Sequence, residues 1–406
     1  MLDQLLVRQV RRRVEASGLP FIVELWNGEL VGDAADAAVR VRLHQASSLK
    51  AMAEPSLGAL ARAYVEGELD LEGNVRDILA LGDRLCNAGD CAPCAPKTGS
   101  DGWKWWRHTR TKDRRNIHYH YDVSNDFYGL WLDARRIYSC AYFKTPDMSL
   151  DAAQEAKLDH ICRKLDLKPE DRFLDIGCGW GGLILHAAER YGVHAVGITL
   201  SDDQHAYVSE QIEARGLTGR VEVRRMDYRD VPEHGGYDKI ASVGMFEHVG
   251  RLNLRVYFDK IAALLKPGGL VLNHGITTAE PEASGLGSGI AEFIEDYVFP
   301  GGELVHASDV LRAAAGSGLE CLDAENLRPH YGKTLWHWVT RLEAHADEAR
   351  RLIGEQKYRI WRIYMAGSAH AFDHGWMELW QVLAGKAVDG SQPNYPFKRD
   401  FIYRDE

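Results

Sequence analysis

At 406 residues the chain is longer than one ordinary domain, so two units are the starting expectation. Hydrophobic residues at 45% and charged residues at 27% set the balance of a folded globular protein and exclude a disordered or membrane-embedded chain. The formal net charge of −10 argues against bulk nucleic-acid binding, because nothing offsets repulsion from a polyanion, although local basic clusters still suit anionic lipid.

The N-terminal run MLDQLLVRQVRRRVEASG lacks the continuous apolar core of a signal peptide, and no apolar stretch approaches the roughly 20 residues of a membrane helix. A cytoplasmic protein is expected. Seven cysteines in no framework spacing predict reduced thiols. Residues 1–88 read as one small α+β unit. It opens with an amphipathic helix that sets Leu5, Leu6 and Val10 against Arg8, Arg11, Arg12 and Arg13. Extended segments at Phe21–Trp26 and Val39–Leu43 follow, then helices at Pro55–Glu66 and Val75–Leu85. No catalytic constellation lies in this unit.

Residues 89–115 read as a linker, rich in Gly, Pro, Ala, Ser and Asp as far as Gly102. Cys91 and Cys94 have the spacing of half a zinc site, but no second ligand pair follows, so they read as incidental thiols and no metal is expected. From Trp103 to Arg115, three tryptophans stand among six lysines and arginines. That composition suits a membrane-interface anchor, with indoles at headgroup depth; it equally suits a linker that packs its indoles on a domain surface.

Residues 116–406 form the second unit. Strand-like runs at Arg172–Ile176, His194–Ile198, Arg220–Arg224, Lys239–Val243 and Leu270–His274 alternate with helix-like runs at Leu183–Tyr191, Asp202–Ala214 and Leu254–Leu265. This alternation predicts an α/β fold: a doubly wound, Rossmann-like parallel sheet with helices on both faces and ligands beyond the carboxyl ends of the strands. Two further helix-like runs, Trp336–Leu352 and Lys357–Phe372, end in Trp376–Leu383. Tyr364, Met365, Ala366 and Phe372 there suit either the lining of an acyl channel or a plain packed helix pair.

Asp175, Gly177, Gly179, Gly181 and Gly182 follow a strand and open a helix. Glycines let the backbone turn tightly and approach a ligand. The acid precedes the glycines, placed to order the loop and meet a cationic amino group. A dinucleotide site would want a carboxylate about 20 residues further on, where this chain has Thr199, Leu200 and Ser201. Asp227 and Tyr228, after the third strand, suit an adenine. The pattern therefore favours S-adenosylmethionine over a nicotinamide.

Five more runs are polar and aromatic beyond what a core requires: 120–128, 138–143, 244–248, 273–276 and 330–335. Together with the runs YSCAYF, FLDIGCGWGG and VGMFEHVG, they carry a resemblance over residues 116–385 to the cyclopropane-fatty-acyl-phospholipid synthase family, which includes the mycolic acid cyclopropane synthases. The N-terminal unit and linker resemble the longer bacterial members. The resemblance implies methyl transfer from S-adenosylmethionine to the double bond of an unsaturated phospholipid acyl chain, followed by proton removal and ring closure, with bicarbonate as base. It implies a bicarbonate cradle of Cys140, Glu247, His274, Tyr331 and the backbone at Ile276. Cofactor contacts carried over are Tyr138, Ser139, Gly177, Gly179, Thr199, Leu200, Gln204, Asp227 and Tyr228. His120 and His248 read as structural.

One departure stands beside the cradle: Gly275 occupies a position where several relatives carry Thr. The resemblance further implies a homodimer, bound peripherally to the inner membrane face, with no nucleic-acid partner. Two other outcomes share the motifs. Loss of a different proton would leave a methyl-branched or methylene chain, and some plant N-methyltransferases of small molecules resemble the same family. A catalytically silent lipid-binding protein is disfavoured by the intact motifs.

Overall fold

The computed structural model describes residues 2–18, 20–32, 37–53, 55–87 and 124–403, apart from 233–235, 282–286, 288, 301, 392 and 394. Cys91, Cys94, His120 and the tryptophan-rich basic segment lie outside the described residues.

Helix α1 (Leu2–Ser17) buries Val10 and Val14 against a small sheet. Strands β1 (Phe21–Glu24), β2 (Leu30–Gly32) and β3 (Val39–Leu43) come next. Strand β3 alternates as a half-buried strand should, with Val39, Val41 and Leu43 inward and Arg40 outward. The extended run expected to reach Trp26 stops at Glu24, because Gly28 N–H donates to the Leu25 carbonyl at 2.9 Å and closes a turn. Helices α2 (Leu49–Ala53) and α3 (Leu57–Val65), strand β4 (Leu69–Gly73) and helix α4 (Val75–Asn87) complete this part. Ser56 caps α3 by accepting the Ala59 N–H at 3.2 Å. The sheet order is β2-β1-β3-β4, with β1 and β3 parallel.

The larger part begins with α5 (Asn125–Gly129) and α6 (Leu150–Lys164). Then β5 (Arg172–Ile176), α7 (Gly182–Tyr191), β6 (His194–Thr199), α8 (Asp202–Ala214), β7 (Val221–Arg225), β8 (Tyr237–Val243), α9 (Leu254–Leu264) and β9 (Leu265–Thr278) alternate as the periodicity predicts. After β9 come α10 (Ile290–Tyr297), β10 (Val305–His306), α11 (Ala307–Gly316) and β11 (Leu319–Asn326). Helices α12 (Arg328–Ala344) and α13 (Ala346–Asp373), strand β12 (Met377–Lys386) and the short helix α14 (Asp400–Tyr403) follow. The sheet order is β11-β12-β9-β8-β5-β6-β7, with β10 beside the end of β9. Order reverses between β5 and β8, so their carboxyl ends diverge and open the crevice in which such sheets bind ligands.

Two features differ from the sequence reading. The segment at Trp376–Leu383 is the strand β12, antiparallel to both β9 and β11. Gly375, at φ 71°, takes the left-handed conformation that ends α13 and lets the chain turn back into the sheet. The helical runs also divide at His345 rather than near residue 353; the expected break survives as a kink at Gly354, whose φ of 81° is non-helical.

Apolar residues of the small sheet do not form a separate core. Val41, Leu69 and Leu79 belong to one buried cluster with Trp338, Trp361 and Ala369 of α12 and α13. Arg362 reinforces the seam, donating to the Tyr64 hydroxyl at 3.1 Å and to Glu343 at 2.8 Å. Arg359 adds a 2.7 Å bond to Asp70. No helix among the described residues is long and apolar enough to cross a membrane.

Candidate active site

Strand β5 delivers Asp175 to its carboxyl end, where the residue is 2% exposed. The chain then turns through Gly177, Gly179 and Gly181, all at positive φ, before α7 begins. The N–H groups of Gly177 and Cys178 both donate to the Ile198 carbonyl at 3.0 Å, which pins the loop to the end of β6. The N–H groups of the first turn of α7 and its dipole lie just beyond. All ten expected cofactor contacts, Tyr138, Ser139, Asp175, Gly177, Gly179, Thr199, Leu200, Gln204, Asp227 and Tyr228, line one cavity of about 1260 Å³.

Within it, Oδ1 of Asp175 is buried and has no hydrogen-bond partner among the described residues. Burial raises the Asp175 carboxyl to about 7, against the opposing charge of Lys157. A buried carboxylate oxygen without a donor suits a cationic amino group. Thr199 donates to the Gln204 side-chain oxygen at 2.7 Å, fixing both at the tip of β6. Asp227 is less open than the sequence suggests: Arg229 reaches it from Nε at 2.8 Å and Nη2 at 2.6 Å. Any ligand amino group there would share the carboxylate.

Sequence reasoning missed Gln154 and Lys157. Both lie three residues apart on the buried face of α6, and polar residues at helical spacing on such a face are the signal that marks them. Gln154 donates to the Ser139 carbonyl at 2.9 Å, and Lys157 donates to the Ser139 hydroxyl at 2.9 Å. Burial lowers the Lys157 ammonium to about 8, while Asp133, Cys140 and Asp175 hold it up.

The five expected cradle residues, Cys140, Glu247, His274, Ile276 and Tyr331, line a second cavity of about 960 Å³. Tyr138, Ser139, Gly244 and His248 line both cavities, so the two are contiguous. The cradle comes from four separate elements: the segment before α6, the turn after β8, the end of β9, and α12. Cys140 is fully buried, and that burial pushes its thiol well above the ordinary range. The neighbouring Ala141 N–H donates to Thr334 Oγ1 at 3.0 Å, which ties this segment to α12.

His274 lies in β9, 1% exposed. Gln381 of β12 donates from Nε2 to His274 Nδ1 at 3.1 Å, which leaves the ring proton on Nε2. That Nε2 is buried without a partner among the described residues, and burial holds the imidazole well below its usual range, hence neutral. Glu247 is part-exposed as a residue, but its carboxyl is buried. Oε1 accepts the Ile276 N–H at 2.7 Å, and Oε2 has no partner among the described residues. Burial raises this carboxyl to about 7. The Ile276 amide, expected to face the anion, is thus already engaged by Glu247. Tyr331 packs edge-on to Trp338 and against Phe372. One buried donor and one buried acceptor, both unsatisfied, fit a small hydrogen-bonding anion that can also donate.

Gly275 has a local cause. A Cβ there would lie 2.0 Å from Cε1 of Phe246, so the ring occupies the space a threonine would need. His330 accepts the Phe143 N–H at 3.0 Å and stacks on Tyr142, while His248 meets the ring of Phe299.

The sequence matches the mycolic acid cyclopropane synthetase family over residues 108–382, and a domain of unknown function, DUF7884, over residues 13–84. It is 42% identical over 401 residues to a probable fatty acid methyltransferase of Pseudomonas putida, covering 98% of this chain and 100% of that protein. It is 37% identical over 270 residues to the cyclopropane-fatty-acyl-phospholipid synthase of Escherichia coli, covering 66% of this chain and 67% of that protein. The crystal structure of mycolic acid cyclopropane synthase CmaA1 complexed with SAH and CTAB superposes with a TM-score of 0.64 at 34% identity, covering 67% of this chain and 98% of that one. The chain belongs to the mycolic acid cyclopropane synthetase family.

Proposed function

We propose that this protein transfers the methyl carbon of S-adenosylmethionine to the cis double bond of an unsaturated phospholipid acyl chain and closes a cyclopropane ring with the help of a bound bicarbonate. The observation that carries this reading is the shared wall of Tyr138, Ser139, Gly244 and His248 between the glycine-loop cavity and the cradle cavity. The SAH complex of CmaA1 supports the donor, and the name of the Escherichia coli relative supports the lipid class.

Asp175 and the glycine loop would hold S-adenosylmethionine; His274, Glu247, Cys140 and Tyr331 would hold bicarbonate. When bound, the first supplies an electrophilic methyl group and the second a proton acceptor. The chain's own residues do the rest. An isolated alkene is a weak nucleophile, so it must be aligned and kept from water. Tyr138, which lines both cavities, is backed by Tyr128, Trp131, Trp338 and Trp361, a packed aromatic cluster that keeps solvent from that side. Neutral His274 donates from Nε2, and Glu247 orients whatever hydroxyl faces its free oxygen. Peripheral membrane binding through α1, with Leu5 and Arg11 at the surface, is part of the same proposal.

The Pseudomonas putida relative, named a probable fatty acid methyltransferase, favours a second reading in which a chain carbon loses the proton, leaving a methyl-branched alkene, or a hydride first shifts and the new methyl then loses a proton, leaving an exocyclic methylene. One experiment separates them: incubate purified protein with unsaturated phospholipid vesicles and labelled S-adenosylmethionine, then record proton NMR of the lipid. High-field ring protons are the expected result. Olefinic methylene or branched-methyl signals establish the second reading, and absence of label in lipid defeats both.

A further inference from the structure

We propose that the N-terminal sheet unit is a wall of the acyl-chain site: hydrocarbon on the methyl-terminal side of the reacting double bond lies between α3 and α4 on one side and α10 and α13 on the other. This rests on the acyl-lipid reading above. A further cavity of about 920 Å³ adjoins the cradle cavity, with Ile294, Tyr364 and Ser368 lining both. Leu57, Ala61 and Leu79 wall that cavity from the N-terminal side, and Phe293, Ile363 and Gly367 from the other.

The lining selects the occupant. Its described wall residues include no Lys, Arg, Asp or Glu, and burial holds the one lining imidazole, His370, below its usual range. A phosphate headgroup placed there would be desolvated without a counter-charge, whereas hydrocarbon would gain roughly fourfold in binding per buried methylene. The chain must therefore enter with its methyl end, leaving the ester end toward the cradle mouth and solvent. The wall is fixed in place. The Gly58 Cα region of α3 packs directly on Gly289, where an added Cβ would meet the Gly289 carbonyl oxygen at 2.1 Å. Arg62 donates to Asp296 at 2.7 Å across the same seam.

Two substitutions narrow the cavity from opposite sides. Gly367→Leu adds a side chain where an ideal Cβ meets only Leu79 Cδ1, at 4.0 Å, and replaces glycine by a better helix former. Ala61→Phe fills from the N-terminal wall. The probes are vesicles of dioleoyl and dimyristoleoyl phosphatidylglycerol, which share the carboxyl-side segment and differ only in methylenes beyond the double bond. The ratio of kcat/KM for the longer lipid over the shorter should fall about tenfold or more in both variants, because four missing methylenes of room outweigh that much binding. An unchanged ratio in Ala61→Phe, with circular dichroism matching the parent, overturns the wall while leaving the acyl-lipid reading intact. Failure of the parent protein to modify either lipid overturns that reading, and this inference with it.

Discussion

The carboxyl of Glu247 is divided between two duties: Oε1 accepts the Ile276 N–H at 2.7 Å, while Oε2 is buried with no partner among the described residues. Burial raises this group from 4.5 to about 7. A raised folded value means the protonated form is favoured in the native state. Its contribution is fully present below pH 4.5 and is lost as pH rises through about 7. The loss is on the order of 3 kcal/mol. Glu247→Gln removes the ionisation. The stability of the variant relative to the parent should therefore improve from pH 5 to about pH 7 and level off by pH 8, measured by urea denaturation, while kcat falls by about 100-fold. A stability difference that does not change with pH would show that the carboxyl is not held near neutrality.

Asp175 poses the complementary case, a buried acid with an orphaned oxygen beside the glycine loop. Burial raises it to about 7, so at acid pH it is neutral and offers little to a cation. Affinity for S-adenosylmethionine should rise with pH through about 7. Asp175→Asn should weaken binding by ~10- to 100-fold, the range of a hydrogen bond to a charged group, and flatten this pH dependence. Isothermal titration calorimetry across pH 6 to 8.5 tests both effects, and a variant that retains the parent profile would remove Asp175 from the site.

Lys157 is what keeps Asp175 from rising further, since its charge lowers the carboxyl. Lys157→Met removes that charge and the 2.9 Å bond to Ser139. The pH at which S-adenosylmethionine affinity reaches half its maximum should move upward. Loss of affinity with an unmoved midpoint would mean that Lys157 acts only through Ser139.

Much of this site is written locally. Asp175 and the glycines sit in one contiguous run, and the strand before them reads as a buried strand, so β5, the loop and α7 are legible together. Cys140, Glu247, His274 and Tyr331 are each unremarkable alone, and only the motif around each marks it. Lys157 is marked in sequence only by its helical spacing from Gln154, and its significance comes from what α6 packs against. Strand β12 was missed for a similar reason: its place between β9 and β11 is a tertiary pairing, while the run of Trp376 to Leu383 reads as an extension of the preceding helix. Gln381, which sets the His274 tautomer, lies within that strand and was hidden with it.

Gly275 shows the same dependence on a distant ring and yields the last prediction. Its Cβ position is 2.0 Å from Phe246 Cε1 and 3.0 Å from Glu247 Oε1. Gly275→Thr must displace the ring, and overpacking of that kind costs about 1–3 kcal/mol. Phe246→Leu alone should also destabilise, by removing part of a buried ring that is 2% exposed. Because each change accommodates the other, the double variant should lose less than the sum of the two, by at least ~0.5 kcal/mol, the threshold at which contacting sites depart from additivity. Urea denaturation of the four proteins closes the cycle. Strict additivity would show that Phe246 is not what keeps this position glycine.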